Sequence, residues 1–283
     1  MTQPGTISGT EVHLVHSEVM GFDYEVTVQM PAVPIDGPWP VAFSTDANPL
    51  LGVTCCAFSQ LQMNGEMPSV LNVNIGYPVG GDLAFVLARR PFEFTTTDNE
   101  ILLRAFNTMV EVSGSEQVAR SGGADLFCRF LEEELWPWVA GNYDVVADRT
   151  YVGNSLAAYF GLYQMFARPG FFRRFVLGSP WLAWDLGVIQ TAEENFARAN
   201  DDLAATVFVS VGDSEDFVTP AMDPAMAGAF KKARMTERNR ELCKKLEARG
   251  YPSLRLKYRE FSEQTHNMSP FTSIPHGLKY VFS

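Results

Sequence analysis

Three turns of the sequence carry residue types that together can cleave an ester. The first is residues 151–158, Tyr-Val-Gly-Asn-Ser-Leu-Ala-Ala, which places a serine between a short apolar strand and an apolar helix. A nucleophilic serine at such a turn needs small residues two positions before and after it, because the strand and helix backbones approach closely there. Gly153 and Ala157 meet this requirement, so Ser155 is a candidate nucleophile. The alternative interpretation is a serine that only caps a helix N-terminus.

The second turn is acidic. Residues 209–216 end a predicted strand and contain three carboxylates, Asp213, Glu215 and Asp216. One of these can orient a catalytic histidine. The alternative is a solvated acidic start to the next helix, which the helix dipole favours. The spacing alone does not choose among the three.

The third turn contains His266, one of four histidines. His266 follows a late predicted strand, whereas His276 lies within the last predicted helix. His13 and His16 form an H-x-x-H pair near the N-terminus, but no third ligand stands nearby, so no metal site is expected. Ser155, an acid near position 215 and His266 follow one another in the chain order nucleophile, acid, histidine, which is typical of α/β-hydrolases.

The elements that must position these turns alternate between strands and helices. This alternation predicts an α/β fold with a mostly parallel central sheet, helices on both faces and an N-terminal antiparallel hairpin around residues 20–21. Further strands are predicted at 40–44, 70–78, 149–153, 174–178, 205–211 and 253–259. Helices are predicted at 50–63, 124–139, 156–168, 189–199, 223–249 and 270–281. In such sheets ligands bind beyond the carboxyl ends of the strands, where the three turns fall.

One segment breaks the alternation. Residues 79–121 contain a Gly-Gly pair, a proline and three consecutive threonines, with weak periodicity. They predict an irregular excursion with a short helix at about 98–112. Because long loops within a domain are usually functional, we expect the excursion to lie over the site of a single domain spanning 1–283.

Composition excludes several classes of function. The 283 residues carry a formal net charge of −11, which disfavours binding to nucleic acid or to an anionic membrane surface. Four cysteines form no C-x-x-C pair, and no apolar run approaches the ~20 residues of a membrane span. The first residues are polar, without a basic region and an apolar stretch, so we expect a cytoplasmic protein.

The sequence resembles the putative-esterase branch of the α/β-hydrolases, which includes esterase D-like enzymes and siderophore trilactone esterases. The resemblance extends from about residue 11 to 281. The matching segments are 39–48 (a strand ending in Asp-Ala-Asn), 74–78 (Asn-Ile-Gly-Tyr-Pro), 89–95 (Arg-Arg…Phe-Thr), 127–137 (Phe…Phe-Leu…Glu-Leu-Trp-Pro), 153–158, 168–172 (Arg-Pro-Gly-Phe-Phe), 179–185 (Ser-Pro-Trp-Leu-Ala-Trp-Asp), 212–215 (Gly-Asp-Ser-Glu) and 265–267 (Thr-His-Asn). The sequence departs from the family pattern at Asn154, which replaces a histidine, and at Ala157 and Ala158, which replace glycines.

The resemblance implies a Ser155–His266–Glu215 triad, because the acid of the family matches position 215. The fold further implies that the backbone N–H of Leu156 binds the oxyanion, together with that of Ala47 or Asn48 in the turn after an early strand.

The sequence is less specific about the residues that surround the pocket. Trp181, Trp184 and Tyr77 are expected to wall it, although core packing explains each equally well. Arg89 and Arg90 either meet an anionic substrate or are solvated.

The function implied is hydrolysis of small carboxylic esters by a serine carboxylesterase, without metal or cofactor. The partner is then a small-molecule ester, and the oligomeric state stays open. The alternatives are a thioesterase or S-formylglutathione hydrolase, a siderophore-ester hydrolase, and a non-catalytic ester-binding protein, the last because the turn around Ser155 departs from the family pattern.

Overall fold

Eight strands form one sheet in the part of the chain that the computed structural model describes, residues 7–33, 35–78 and 82–283. Their bounds are β1 (Thr10–Ser17), β2 (Phe22–Gln29), β3 (Trp39–Ser44), β4 (Leu71–Gly76), β5 (Val145–Asn154), β6 (Arg174–Gly178), β7 (Thr206–Gly212) and β8 (Arg255–Phe261). The spatial order is β1-β2-β4-β3-β5-β6-β7-β8. β2 pairs antiparallel with β1 and β4, and every later pair is parallel. The predicted mostly parallel sheet with an N-terminal hairpin is confirmed.

Helices cover both faces of the sheet. Their bounds are α1 (Ala47–Met63), α2 (Leu83–Phe94), α3 (Glu100–Val112), α4 (Ala124–Arg129), α5 (Trp136–Asn142), α6 (Leu156–Ala167), α7 (Leu186–Ala199), α8 (Pro224–Ala233), α9 (Met235–Arg249) and α10 (Ser269–Val281), with a π-helical stretch (Phe130–Leu135) joining α4 to α5. Among the described helices, none is both long enough and apolar enough to cross a membrane.

The two faces are built from alternate residues of the central strands. Ala42, Val152 and Val176 pack with α1 and α10 in one buried apolar cluster. Their neighbours Phe43 and Tyr151 belong to a larger cluster that includes α6, α7 and α9 on the other face. Because side chains of a strand alternate between faces, β3, β5 and β6 are apolar on both, as expected of strands in a buried parallel sheet.

Two predicted elements differ from the structure. The excursion is more regular than predicted: it contains α3, close to the expected 98–112, and also α2, while residues 79–81 lie outside the described residues. The long helix predicted over 223–249 is two helices, because Arg234 adopts a left-handed conformation with φ 47° and separates α8 from α9.

The strands β3, β5, β6, β7 and β8 are parallel neighbours, so their carboxyl ends lie at one edge of the sheet. Asp46, Ser155, Trp181, Glu215 and His266 each lie in the segment that follows one of these strands. The fold therefore brings together turns that are up to 220 residues apart, calculated as 266 − 46.

Candidate active site

Ser155 sits at a sharp turn between β5 and α6. Its backbone has φ 60° and ψ −120°, a region that residues other than glycine rarely adopt. A Cβ added at Gly153 would lie 2.9 Å from the backbone carbonyl carbon and oxygen of Ala157, so only glycine fits two positions before the serine. The methyl group of Ala157 itself is buried without preventing the turn. A nucleophile elbow has strained geometry of this kind.

Ser155, His266 and Glu215 form a continuous hydrogen-bonded line. His266 Nε2 lies 2.8 Å from Ser155 Oγ, and His266 Nδ1 lies 2.6 Å from Glu215 Oε2. If Nδ1–H donates to the carboxylate, Nε2 is left to accept the serine proton. The arrangement suits a general base that is oriented by an acid.

Glu215 is buried and fully hydrogen-bonded. Its Oε1 accepts from the backbone N–H of Gly212 at 2.8 Å and from the hydroxyl of Ser179. Burial alone would raise the pKa of Glu215, but the hydrogen bonds from His266, Ser179 and Gly212 outweigh it and hold that pKa below its ordinary value. Among the described residues Glu215 is the acid of this turn that contacts His266, whereas Asp213 and Asp216 are exposed.

Two aromatic rings enclose the imidazole of His266. Trp181 and Phe230 each approach it edge-on, with ring centroids 5.1 Å away. Ser179 and Phe230 are site residues that the sequence reasoning missed. Phe230 had one signal in the sequence, since Met226 and Phe230 stand four positions apart on a predicted helix and both line the site. The signal for Ser179 was its place after a predicted strand.

Two helices begin after β3 and β5, at the edge of the sheet where Ser155 lies. Leu156 is the first residue of α6, and Ala47 and Asn48 begin α1, which has no side-chain cap. Within the described ranges no hydrogen bond occupies the N–H groups of these three residues. These N–H groups are therefore available to an acceptor. Leu156 lines the cavity with Ser155, and Ala47 and Asn48 lie between the lining residues Asp46 and Pro49.

The turn of residues 45–48, here called the oxyanion turn, is held by two clamps. Asp46 adopts a left-handed conformation with φ 60°, and its carboxylate binds Arg90 in a two-pronged ion pair at 2.6 and 2.9 Å. The side chain of Asn48 accepts from the N–H of Tyr77 at 2.8 Å and donates to the Tyr77 carbonyl at 2.9 Å. The side chain of Asn48 is therefore structural, and only its backbone N–H can serve an oxyanion.

Arg89 and Arg90 are paired with acids, which differs from both alternatives considered for them. Arg90 binds Asp46, and Arg89 donates to the buried Glu93 at 2.7 Å. Glu93 also accepts from the hydroxyls of Tyr24 and Tyr77. Tyr77 is thus part of a buried polar cluster and is not among the residues that line the cavity, in contrast to its predicted role in the pocket wall.

A cavity of about 510 Å³ opens at Ser155. Trp181 and Trp184 line it, where the sequence analysis expects them, and the indole N–H of Trp184 donates to the carbonyl of Thr97. Helices α2 and α3 of the excursion form much of its wall. The other three histidines are elsewhere: His13 and His16 lie on β1 and contact Tyr143 and Asp23, and His276 lies on α10 and contacts Arg259.

Known proteins resemble this chain over nearly its whole length. The ferri-bacillibactin esterase BesA of Bacillus subtilis (strain 168) is 25% identical over 269 residues, which cover 92% of this chain and 85% of BesA. The siderophore triacetylfusarinine C esterase of Aspergillus fumigatus is 25% identical over 258 residues, covering 87% and 82%. The crystal structure of the BES protein from Bacillus cereus superposes with a TM-score of 0.79 at 23% identity, covering 100% of this chain and 98% of that one.

The sequence profile of the family described as "Putative esterase" matches residues 105–273, which include Ser155, Glu215 and His266. This range holds 169 of the 283 residues, calculated as 273 − 105 + 1. Its strands belong to the same sheet as the N-terminal hairpin. The chain belongs to this esterase family of the α/β-hydrolase superfamily.

Proposed function

We propose that this chain is a serine carboxylesterase that hydrolyses esters of small molecules through an acyl-enzyme intermediate. The observation that carries the proposal is the line of hydrogen bonds from Ser155 Oγ through His266 to Glu215, with distances of 2.8 and 2.6 Å. It ends in a cavity large enough for a small ester.

In the first step Ser155 Oγ attacks the ester carbonyl carbon while His266 Nε2 takes the hydroxyl proton. The carbonyl oxygen becomes an oxyanion, which the N–H groups of Leu156 and of Ala47 or Asn48 bind. When the tetrahedral intermediate collapses, the protonated His266 gives its proton to the leaving alcohol. The acyl group is then attached to Ser155.

In the second step water attacks the acyl carbon while His266 Nε2 accepts a proton from it. The tetrahedral intermediate then collapses: the bond to Ser155 Oγ breaks, His266 returns its proton to that oxygen, and the carboxylic acid leaves. Glu215 stabilises the charged imidazole in both steps and keeps its proton on Nδ1. The lowered pKa of Glu215 favours the ionised form that this role requires.

A second candidate is hydrolysis of siderophore esters. Two relatives favour it, because one is a ferri-bacillibactin esterase and the other a siderophore triacetylfusarinine C esterase. Both candidates use the same chemistry and differ in the ester that the cavity accepts. Hydrolysis of a thioester, or binding without cleavage, remain the other outcomes of a substrate panel.

The proposal is tested by measuring kcat and KM for 4-nitrophenyl esters of increasing acyl length, a thioester and a siderophore ester. Ser155→Ala should lower kcat by about 10⁴-fold or more on every substrate that the wild type cleaves. Ser253→Ala, at an exposed serine before β8, is the control and should keep wild-type rates. Equal rates for Ser155→Ala and wild type would refute the proposal, and binding of esters without turnover would favour the non-catalytic alternative.

A further inference from the structure

The walls of the cavity are almost entirely apolar. Apart from His266, the ionisable side chains that line it are Asp46 and Arg90. The other lining side chains are aliphatic, aromatic or neutral polar, including Leu87, Leu102, Phe106 and Met109. None of the residues outside the described ranges, 1–6, 34 and 79–81, has an ionisable side chain.

The two charges in the wall neutralise each other. Arg90 and Asp46 form a two-pronged ion pair, and their side chains are only 16% and 3% exposed. The pair engages Nε and Nη2 of Arg90, and the carboxylate compensates the positive charge of the guanidinium, which reduces its attraction for a second anion. Within the described part of the chain, the wall therefore offers a charged group of the substrate no unpaired opposite charge.

The rim of the cavity continues the apolar surface. Leu83 on α2 and Phe271 on α10 line the cavity and are 62% and 63% exposed. On α8, Met226 and Phe230 line the cavity, whereas Lys231 and Lys232 are exposed and do not. A ligand entering the cavity thus exchanges water for hydrocarbon from the rim to Ser155.

We infer that the cavity selects esters whose acyl part is uncharged and apolar, and rejects esters that carry an ionised group near the scissile bond. Moving an ionised group from water into an apolar site without a partner is costly, and it is costly for either sign of charge. Applied to siderophore esters, the same rule selects chelates without net charge over anionic ones. The inference rests on the proposed function, because it concerns the substrate of the same site.

The test compares three 4-nitrophenyl esters that differ at one end of the acyl chain. The hexanoate ends in a methyl group, the mono-adipate in a carboxylate and the 6-(trimethylammonio)hexanoate in a quaternary ammonium. The value of kcat/KM should be on the order of 100-fold lower for both charged esters than for the hexanoate, a factor worth about 2.7 kcal/mol. Equal kcat/KM for the hexanoate and the adipate, or a preference for either charged ester, would overturn the inference.

The cationic ester distinguishes rejection by the apolar cavity from long-range repulsion by the net charge of −11 on the chain. If long-range repulsion caused the discrimination, the cation would be favoured over the neutral ester, and the difference would disappear at about 1 M salt, where the Debye length falls to about 3 Å. The inference predicts instead that the cation is rejected and that the rejection of both charges persists in salt.

Two variants of one residue, one charged and one neutral, provide a second, independent test. Met109, on α3, is half-buried and lines the cavity. Met109→Lys should raise kcat/KM for the adipate relative to the hexanoate by about tenfold, whereas Met109→Gln, of similar length but neutral, should not. An unchanged ratio in folded Met109→Lys would count against the inference. If none of the three esters is cleaved, the proposed function fails; if all are cleaved alike, only the selectivity fails.

Discussion

Glu215 differs from its two acidic neighbours by its contacts. It is buried, it lies 2.6 Å from His266, and it receives hydrogen bonds from Gly212 and Ser179. Asp213 is exposed and accepts a hydrogen bond from the hydroxyl of Ser214. The positioning of the imidazole therefore depends on one carboxylate of the three.

Replacing that carboxylate by an amide tests its role. Glu215→Gln should lower kcat by about 10³–10⁴-fold, because an amide does not stabilise the protonated imidazole and favours the wrong tautomer. The change should appear in kcat on a 4-nitrophenyl ester with little change in KM. Asp213→Asn is the matched control and should keep the wild-type kcat. A loss in Asp213→Asn that equals the loss in Glu215→Gln would show that the acid has been misassigned.

Arg90 is a second single residue with a testable role, because its ion pair with Asp46 holds the oxyanion turn. The ion pair fixes the carboxylate of the residue whose left-handed backbone starts the oxyanion turn. Arg90→Gln should leave Asp46 as a buried unpaired charge, which destabilises a protein by about 3–5 kcal/mol when one partner is removed. It should also lower kcat by about 10²-fold, the effect of losing one oxyanion donor.

Arg90→Lys separates these two effects. It keeps a positive charge beside Asp46 but not the two-pronged geometry, so it should restore most of the stability and only part of kcat. Thermal unfolding and steady-state kinetics measure the two independently. If Arg90→Gln is folded and its kcat is that of the wild type, Arg90 does not position the oxyanion turn.

At the scale of elements, the strand-to-helix turn around Ser155 depends on a close backbone approach. A Cβ at Gly153 would lie 2.8 Å from the ring of Tyr151 and 2.9 Å from the backbone of Ala157. Gly153→Ala should therefore open the turn, destabilise the protein by about 1–3 kcal/mol and lower kcat by at least about tenfold.

The control for this prediction is Gly52→Ala. Gly52 lies within α1 with no atom near its added Cβ, so the same change there should stabilise the protein by about 0.5–1 kcal/mol. Unfolding in urea and ester hydrolysis report both quantities. A Gly153→Ala variant with wild-type stability and kcat would show that the close approach does not matter.

The elements that the sequence predicts well are those with strong periodicity and clear ends. The strands from β5 to β8 are short apolar runs followed by helices, so their number and order could be read directly from the chain. The helix α2 could not, because its first turn follows a Gly-Gly pair and Pro91 lies within it. Its surroundings override these signals: α2 packs against α3, α4 and α6 and carries Arg89 and Arg90 to their buried acids.

Residues of the candidate site also divide into those that the sequence predicts and those that it does not. Ser155, Glu215 and His266 follow predicted strands, so the topology places them at one edge. The spacing does not separate Glu215 from Asp213 and Asp216, and only the resemblance to the esterase family selects it. Tyr77 was misplaced because a tyrosine after a strand faces either the cavity or the core, and only its packing against Glu93 decides between them. The position of Phe230 depends on α8, which ends at the left-handed Arg234. The sequence pattern does not show this end.

At the scale of the whole molecule, buried ion pairs link stability to pH. Glu193 on α7 is buried and receives hydrogen bonds from Arg249 at 2.7 and 3.0 Å, with Lys245 at 2.7 Å. Burial alone would raise the pKa of Glu193, but the hydrogen bonds from Arg249 and Lys245 outweigh it and hold that pKa below its ordinary value. The stability from this lowered pKa is present above the unfolded pKa of 4.5 and is lost as pH falls through the folded pKa.

The link to pH predicts how a Glu193→Gln variant behaves. At pH 7 it should unfold more easily than wild type by about 1–3 kcal/mol, a value reduced because both basic partners are about one-third exposed. The difference should shrink as pH falls below 4.5 and Glu193 of the wild type is protonated. Urea unfolding at pH 7, 5 and 3.5 measures it, and a difference that is constant across this range would contradict the prediction.

The central claim, that Ser155 is the nucleophile, is tested most directly by covalent labelling with a fluorophosphonate. Such a reagent reacts with a serine that an adjacent base activates. The account predicts one adduct per chain in the intact mass, mapped by peptide analysis to Ser155, with loss of esterase activity in step with labelling and no adduct in Ser155→Ala. An adduct on another residue that persists in Ser155→Ala, or ester turnover that survives complete labelling, would contradict it.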